Sequence, residues 1–244
     1  MKRIFALLLS ACCLTSASEF NQAQQLFLLC VRNTPPTPPL PYDYAVEYIE
    51  TDGVSSYINT GIPANQTFGL QIECAFATLS TLPQDTTQGG TMFGARGTLN
   101  YATGRRFSML GNTRNSCFVS NYPSTSNDSP DMPLDTNRHI ITMAHDSISF
   151  DGVSRYVRLT ASSGFGEDFC LGKAGVLTAS SYPERDFAPV RIYSCVLSEN
   201  GSVVFNGIPV VANGVAGIYD SISGTVKTNA AATGTITAGP RRAQ

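Results

Sequence analysis

The sequence predicts an all-β protein built as a two-sheet antiparallel jelly-roll sandwich. After Tyr42, short β-like runs alternate with turn residues (Gly, Asn, Asp, Ser, Thr) roughly every eight to twelve residues, which is the strand spacing of sandwiches and barrels. No stretch after Pro41 carries the sustained apolar stripe of an amphipathic helix. The 244 residues suit one large domain, because all-β sandwiches of about 200–250 residues are common.

The composition predicts a packed core and argues against nucleic acid as a partner. Hydrophobic residues make up 42% of the chain and charged residues only 14%. The formal net charge is −2, and no basic run exceeds the pairs Arg105-Arg106 and Arg241-Arg242. Proteins that bind nucleic acids need clustered positive charge to displace counterions.

The N-terminal residues predict export. Lys2 and Arg3 precede an apolar run over residues 4–9, which then grades into small residues, the order found in secretory signal peptides. The run is too short for a transmembrane helix, which needs about 20 apolar residues. We therefore expect the protein outside the cytoplasm: at the cell surface, attached to the outer membrane, or extracellular.

Two cleavage positions stay open. Residues 9–12, Leu-Ser-Ala-Cys, resemble a bacterial lipobox, in which case the signal is residues 1–11 and Cys12 carries a lipid anchor. Residues 15–17, Thr-Ser-Ala, instead suit ordinary signal peptidase and a signal peptide over residues 1–17.

Residues 18–41 are predicted to be a helical leader followed by a proline-rich linker. Phe20, Ala23, Phe27 and Val31 fall near helical spacing. Residues 33–41 contain five prolines, which favours an extended polyproline spacer; a disordered leader is the alternative. The sandwich domain is then expected over residues 42–244.

Within this domain, one strand and two hairpins are clearest. The run LQIECAF, residues 70–76, alternates with its apolar side chains on one face and Gln71 and Glu73 on the other. Asp151-Gly152 and Asn200-Gly201 each separate two strand-like runs and predict two-residue hairpin turns, in which both central residues need positive φ.

Several segments also match a known pattern. They are VEYIETDGVSSYINTGI (46–62), MFGAR (92–96), RFSML (106–110), VRIYSCVL (190–197) and residues 214–239. Together they resemble the strands of concanavalin A-like lectin/glucanase domains of the laminin G-like jelly-roll type, found in bacterial and phage surface proteins. The resemblance covers roughly residues 46–239 and rests on structural motifs, so it implies a fold more directly than an activity.

The resemblance implies a non-catalytic surface module for adhesion that binds a glycan or a surface protein. A structural subunit of a coat or appendage is the alternative, and a glycoside hydrolase is the third hypothesis. The chain departs from the pattern at Val226, where an aromatic residue is expected, and it has no Trp to stack on sugar rings. Ten tyrosines are present, and Tyr101, Tyr122 and Tyr182, in turn-rich segments, are the predicted ligand-binding rings. Tyr57, Tyr156, Tyr193 and Tyr219, in strand-like runs, are predicted to lie in the core or on a sheet surface.

One loop is a candidate calcium site. Residues 121–135 concentrate oxygen donors at Asn127, Asp128, Asp131 and Asp135. Calcium binds six to eight oxygens, and jelly-roll domains often place such a site beside the ligand rim. EF-hand spacing is missing, so a solvated loop is the alternative, and we expect no other cofactor.

The sequence predicts no catalytic constellation. Glu47 and Glu50 are three residues apart, and Glu167 and Asp168 are adjacent, so neither pair shares one face of a strand as glycosidase carboxylates must. We expect these to be solvated or turn carboxylates, as is Asp52 in the turn Asp52-Gly53. His139 and His145 would be roughly 20 Å apart along a strand, and no nucleophile-elbow motif occurs. Both histidines are predicted to be packing or surface residues.

The resemblance further implies a disulfide between Cys170 and Cys195. Segments 167–173 and 190–197 resemble strands that lie side by side and antiparallel in these jelly rolls, and export permits disulfides. Two free thiols are the alternative, because a one-residue slip in register puts the side chains on opposite faces. Cys74, on the apolar phase of its strand, is predicted to be a small buried hydrophobe.

Overall fold

The computed structural model describes residues 39–65, 67–82, 90–96, 106–112, 116–121, 132–144, 147–156, 167–176 and 187–243. Contacts divide the chain into two compact units, Met1–Leu40 and Pro41–Gln244. Within the described part of the second unit, all regular secondary structure is β-strand. The all-β prediction is confirmed. The predicted signal peptide, helical leader and most of the linker lie outside the described residues.

The strands form two sheets. The larger has eleven described strands: β1 Tyr44–Ala45, β2 Ile49–Thr51, β4 Phe68–Phe76, β9 His139–Met143, β10 Ser147–Phe150, β11 Val153–Tyr156, β14 Val190–Glu199, β15 Ser202–Ala212, β16 Val215–Asp220, β17 Thr225–Lys227 and β18 Ile236–Ala238. The smaller has seven: β3 Ile58–Pro63, β5 Thr91–Arg96, β6 Arg106–Asn112, β7 Ser116–Asn121, β8 Met132–Pro133, β12 Asp168–Leu171 and β13 Ala174–Val176. The described pairs are antiparallel except β13 with β5.

The order of the larger sheet is β11-β10-β9-β4-β14-β15-β16-β17, with β1 on β15 and β2 bridging β14 and β18. The smaller runs β3-β12-β5-β6-β7-β8. Buried rings join the two sheets: Phe68 of β4 lies 5.4 Å from Phe169 of β12, which lies 5.9 Å from Phe93 of β5. The core therefore lies between the sheets, and the architecture is a β-sandwich.

The predicted strand and hairpins are confirmed. In β4, Leu70, Ile72 and Cys74 are buried while Gln71 is exposed, so the period of two reads correctly from sequence. Asp151 and Asn200 have φ near 50°, each followed by a glycine with positive φ, and these turns connect β10 to β11 and β14 to β15. A third turn of the same kind, Asn213-Gly214, connects β15 to β16.

Strand β14 contains a bulge and a fork that shape its outer face. Ile192 pairs with Cys74 and Ser194 with Glu73, so Tyr193 is an extra residue without a partner on β4. On its other side, β14 pairs with β2 at Arg191 and Ile192, and with β15 from Cys195 onward. Tyr193 therefore lies at the point where the strand paired with β14 changes from β2 to β15. Bulges of this kind re-aim a side chain locally.

The Asp52-Gly53 turn, predicted from sequence, is confirmed. The Asp52 carboxylate accepts backbone N–H bonds from Val54, Ser55, Ser56 and Thr235, each 2.9 Å long. Burial raises the pKa of Asp52, but these hydrogen bonds outweigh it and hold the pKa far below its usual value. The ionised carboxylate thus ties the C-terminal segment to the turn that follows β2.

Candidate ligand-binding site

A cluster of rings and charges covers part of the outer face of the larger sheet. We call it the tyrosine–arginine cluster, and its members are Tyr48, Glu50, Glu73, Arg138, Arg191 and Tyr193. The rings of Tyr48 and Tyr193 lie 5.3 Å apart at a tilt of 59°. The Arg138 guanidinium lies 4.2 Å from the centre of the Tyr193 ring, and that of Arg191 lies 5.1 Å from the Tyr48 ring. Both distances are typical of cation–π contacts.

Each arginine also binds a glutamate through its Nε atom. Arg138 Nε lies 2.5 Å from Glu73 Oε1, and Arg191 Nε donates to Glu50 Oε2 at 2.7 Å. These bonds raise the pKa of both guanidiniums, so the two arginines stay charged. The cluster thus consists of two similar Glu–Arg–Tyr units that meet at the two rings.

The polar ends of these units face solvent. The Arg138 side chain is 52% exposed and Arg191 35% exposed. Within the described part of the chain, neither arginine uses its terminal Nη groups in another hydrogen bond, and neither Glu50 Oε1 nor Glu73 Oε2 has a partner. Each unit therefore presents unused donors next to an unused acceptor.

The fold explains why these side chains meet. Tyr48 and Glu50 are two residues apart at β2 and share its outer face, since Ile49 between them is fully buried. Arg191 lies opposite Glu50 in register. The bulge adds a residue between inward-facing Ile192 and Cys195, so Tyr193 also points outward.

The C-terminal segment contacts both tyrosines of the cluster. Arg242 Nη2 donates to the Tyr193 carbonyl at 3.0 Å, which satisfies a backbone acceptor at the fork. Gly239 packs closely on Tyr48: a Cβ at this position would lie 2.9 Å from the ring. The C-terminal segment therefore holds the backbone of Tyr193 and packs against the ring of Tyr48.

The tyrosines selected from sequence, Tyr101, Tyr122 and Tyr182, lie outside the described residues and stay predictions. Tyr193 lies on a sheet surface, as predicted, but its role in a cluster was missed. The missing information is tertiary, because Glu73 and Arg138 come from segments distant from Tyr48 and Tyr193. The one local indication is the spacing of Arg191 and Tyr193, two apart in a strand-like run with apolar Ile192 between them.

A second polar group surrounds His139 at the start of β9. His139 Nε2 lies 2.8 Å from Asp135 Oδ1, and Nδ1 lies 2.7 Å from Asp151 Oδ2. The imidazole also packs on the Phe150 ring, 4.5 Å away. Burial lowers the pKa of His139, but the bonds to Asp151 and Asp135 outweigh it and raise the pKa above its usual value. We call Asp135, His139 and Asp151 the histidine clamp; with both ring nitrogens bonded to carboxylates, His139 has no nitrogen available as a catalytic base.

The histidine clamp bears on the calcium prediction. Asn127, Asp128 and Asp131 lie outside the described residues. The fourth ligand, Asp135, uses one oxygen for His139 and the Asn137 backbone and the other for the Asn137 side chain. Among the residues that the structure describes, no group of three or more His, Cys, Asp or Glu side chains is arranged to hold a metal ion. The calcium site stays a prediction, as does the role of His145, which is not among those residues.

The expectation of solvated carboxylates is wrong for Glu167. This side chain is only 6% exposed, and neither carboxylate oxygen has a hydrogen-bond partner among the described residues. Burial raises the pKa of Glu167. Its neighbour Asp168 is half-buried and accepts a bond from Asn59 Nδ2 at 3.0 Å, so the two adjacent carboxylates have different surroundings.

The Cys170–Cys195 disulfide is contradicted: both cysteines are free and buried. Cys170 lies on β12 in the smaller sheet, between Asn59 and Gly94, whereas Cys195 lies on β14 in the larger sheet, opposite Ile72. The two segments are therefore not neighbours in one sheet. Burial raises the pKa of the Cys170 thiol to about 12, and burial likewise raises that of Cys195. Cys74 is buried in the core, as predicted.

Comparisons with known proteins do not extend this description. No protein-family model matches the chain, and no curated protein matches it. None of the described residues forms a helix long and apolar enough to cross a membrane.

Proposed function

We propose that the protein is a non-catalytic recognition module that binds a glycan on the tyrosine–arginine cluster. The cluster supports this proposal most directly, because two tyrosine rings lie on the outer face of the larger sheet with unused hydrogen-bonding groups on both sides. Sugars are amphipathic: their C–H faces pack on aromatic rings, and their hydroxyl groups need well-placed polar partners.

The arrangement favours binding over hydrolysis. A glycosidase needs two carboxylates on either side of the scissile bond, one of which donates a proton. In the cluster, Glu50 and Glu73 are each bonded to an arginine, which suits them to hold hydroxyl groups. Within the described residues, the buried carboxylate of Glu167 lies just before β12 of the smaller sheet and is not part of the cluster.

The proposal includes a jelly-roll topology of the concanavalin A-like, laminin G-like type and export to the cell surface. The resemblance of residues 46–239 supports the first, and the order of residues in positions 2–17 supports the second. Lipid attachment at Cys12 stays a prediction.

A glycan array tests the proposal. Labelled full-length protein should bind at least one glycan family, and Tyr193→Ala should reduce that binding by about tenfold, because a packed aromatic ring contributes about 0.5–1.5 kcal/mol beyond the area it buries, and about 1.4 kcal/mol corresponds to tenfold. Tyr219→Ala is the matched control, since Tyr219 also belongs to a half-buried ring pair, 5.1 Å from Tyr42, but outside the cluster. Lack of any glycan binding, together with concentration-dependent oligomers, would favour the assembly alternative instead.

A further inference from the structure

We propose that the tyrosine–arginine cluster selects a neutral glycan and grips it by vicinal pairs of hydroxyl groups, one pair at each Glu–Arg unit. This inference rests on the proposed function and names the class of ligand for the same site. It follows from the charge of the cluster, the chemistry of its unused groups and the apolar surface between them.

The charge balance of the cluster argues against an acidic ligand. Arg138 and Arg191 carry two positive charges, and Glu50 and Glu73 carry two negative charges within ion-pair distance of them. Arg242, bonded to the Tyr193 carbonyl, adds a third positive charge, and Glu47, close enough to act on Arg138 and Tyr193, adds a third negative one. An acidic sugar that approached either guanidinium would also approach a carboxylate, so its attraction and repulsion would largely cancel.

The unused groups match a vicinal diol. A guanidinium only donates hydrogen bonds and an ionised carboxylate only accepts them, whereas a hydroxyl group does both. At the first unit, Glu73 Oε2 is available beside the Nη groups of Arg138, and at the second, Glu50 Oε1 is available beside those of Arg191. One hydroxyl of a diol can donate to the carboxylate while its neighbour accepts from the guanidinium. Both bonds are charge-assisted and therefore among the stronger ones available.

An apolar surface lies beside these two polar units. The rings of Tyr48 and Tyr193 lie between the units. Ile140, which is 44% exposed, lies opposite Glu73 in register on β9. This alternation of polar unit, rings and polar unit fits a chain of sugars that offers a diol on successive rings and apolar C–H groups between them.

The test uses full-length protein and isothermal titration calorimetry. The probes are cello-, malto- and mannohexaose, which are neutral and carry a vicinal diol on every internal ring. Laminarihexaose is the matched neutral probe without internal diols, and a polygalacturonate hexamer is the acidic probe. We expect binding of at least one of the first three, laminarihexaose at least about tenfold weaker, and Kd changed less than about twofold between about 0.05 and 0.5 M NaCl.

Variants of the cluster distinguish a neutral from an acidic ligand by whether binding weakens or tightens. Glu73→Gln and Arg138→Gln should each weaken binding of the neutral probe by about tenfold or more, because each removes one partner of the diol. For an acidic ligand, Glu73→Gln would instead tighten binding, since it removes a repelling charge. Glu199→Gln is the control: Glu199 bonds to Asn65 at the far end of β14 and should leave Kd unchanged.

The outcomes separate this inference from the proposed function. Tighter binding of the acidic probe, tighter binding by the Glu73→Gln variant, or laminarihexaose equal to the diol-rich probes would overturn the neutral-diol inference and leave glycan binding intact. The neutral-diol inference also fails, with glycan binding intact, if Tyr193→Ala removes a signal on the glycan array but no hexasaccharide with internal diols binds. If no glycan binds in either experiment, both proposals fail.

Discussion

Glu167 combines an ionisable side chain with burial. The side chain is buried just before β12 with no hydrogen-bond partner among the described residues. Burial penalises the charged form, which is why the pKa of Glu167 is raised. An acid whose folded pKa is raised stabilises the fold below its unfolded value, near 4.5, and this stabilisation is lost as pH rises through the folded value.

We therefore predict that Glu167→Gln stabilises the protein at pH 7. The amide removes the charge while keeping the shape, and the expected gain in the free energy of unfolding is about 1 kcal/mol, the size of an ordinary single-residue effect. Below about pH 4.5 the variant and the wild type should converge. Urea unfolding at several pH values measures both. Asp168→Asn is the control, because Asp168 is already paired with Asn59; an equal gain there, or none in Glu167→Gln, would contradict the argument.

Cys74 and Glu167 show which buried residues can be predicted from sequence. The sequence predicts Cys74 in the core because alternation within one strand identifies the inward face. Glu167 was misplaced because its burial depends on which surfaces pack over the start of β12, and no neighbouring residue in the sequence reports that packing. Local pattern therefore identifies an inward apolar residue well, whereas a buried charge breaks the pattern and is missed.

At the scale of elements, the histidine clamp links three parts of the larger sheet. His139 begins β9, Asp135 lies in the preceding loop, and Asp151 is the first residue of the turn between β10 and β11. Asp151 also accepts the Ile140 N–H at 2.9 Å. The clamp therefore holds the β10–β11 hairpin and the loop before β9 against the sheet.

The clamp predicts a pH-dependent contribution to stability. The pKa of His139 is raised by its two carboxylate partners, so its contribution is complete below the unfolded value of 6.5 and is lost as pH rises through the folded value. Burial raises the pKa values of Asp135 and Asp151, but the hydrogen bonds that these carboxylates accept outweigh burial and lower both values. Their contribution is present above the unfolded value of 3.8 and is lost as pH falls through the folded values.

We predict that His139→Gln destabilises the protein by about 1–2 kcal/mol near pH 5.5, with allowance for solvent screening of the carboxylates. The difference from wild type should shrink toward pH 9. Thr142→Ala, on the outer face of the same strand, should give a difference that does not vary with pH. Chemical unfolding across this pH range is the measurement, and a His139→Gln penalty that stays constant with pH would rule out the charged clamp.

Elements differ in how far sequence specifies them. The hairpins at Asp151-Gly152 and Asn200-Gly201 were predictable because the turn residues themselves select positive φ. The absence of the Cys170–Cys195 disulfide was not predictable, because it depends on which sheet each of the two segments joins. In β14 the bulge at Tyr193 puts Ile192 and Cys195 on the same inward face although they are three residues apart. Strict alternation therefore fails at this strand, where the candidate site lies.

At the scale of the whole molecule, the class of fold was predictable and the assembly of the site was not. Regular turn spacing and missing helical stripes predict a β-sandwich before any coordinates are known. The tyrosine–arginine cluster combines β2, β4, the residue before β9 and β14, and those contacts exist only once the strand order β9-β4-β14 is set. The candidate site therefore depends on the order of strands across the sheet, which local sequence patterns do not encode.

A stack of buried rings holds the two sheets together. Phe169 is fully buried in the middle of a stack, between Phe68 of the larger sheet and Phe93 of its own. Phe169→Ala should lower the free energy of unfolding by about 3–5 kcal/mol, because it removes buried contacts and leaves a cavity. Val203→Ala, at a side chain 48% exposed, should change it by less than about 0.5 kcal/mol.

Urea unfolding of the full-length chain measures this effect with two probes, far-UV circular dichroism and tyrosine fluorescence, since the chain has no Trp. One sandwich core predicts that both probes report a single coincident transition, which Phe169→Ala moves to lower urea without separating the two. The wild-type spectrum should also be dominated by β structure. Separate transitions in the wild type would mean that the two sheets unfold independently. If Phe169→Ala lowers the free energy of unfolding no more than Val203→Ala does, the ring stack does not join the sheets.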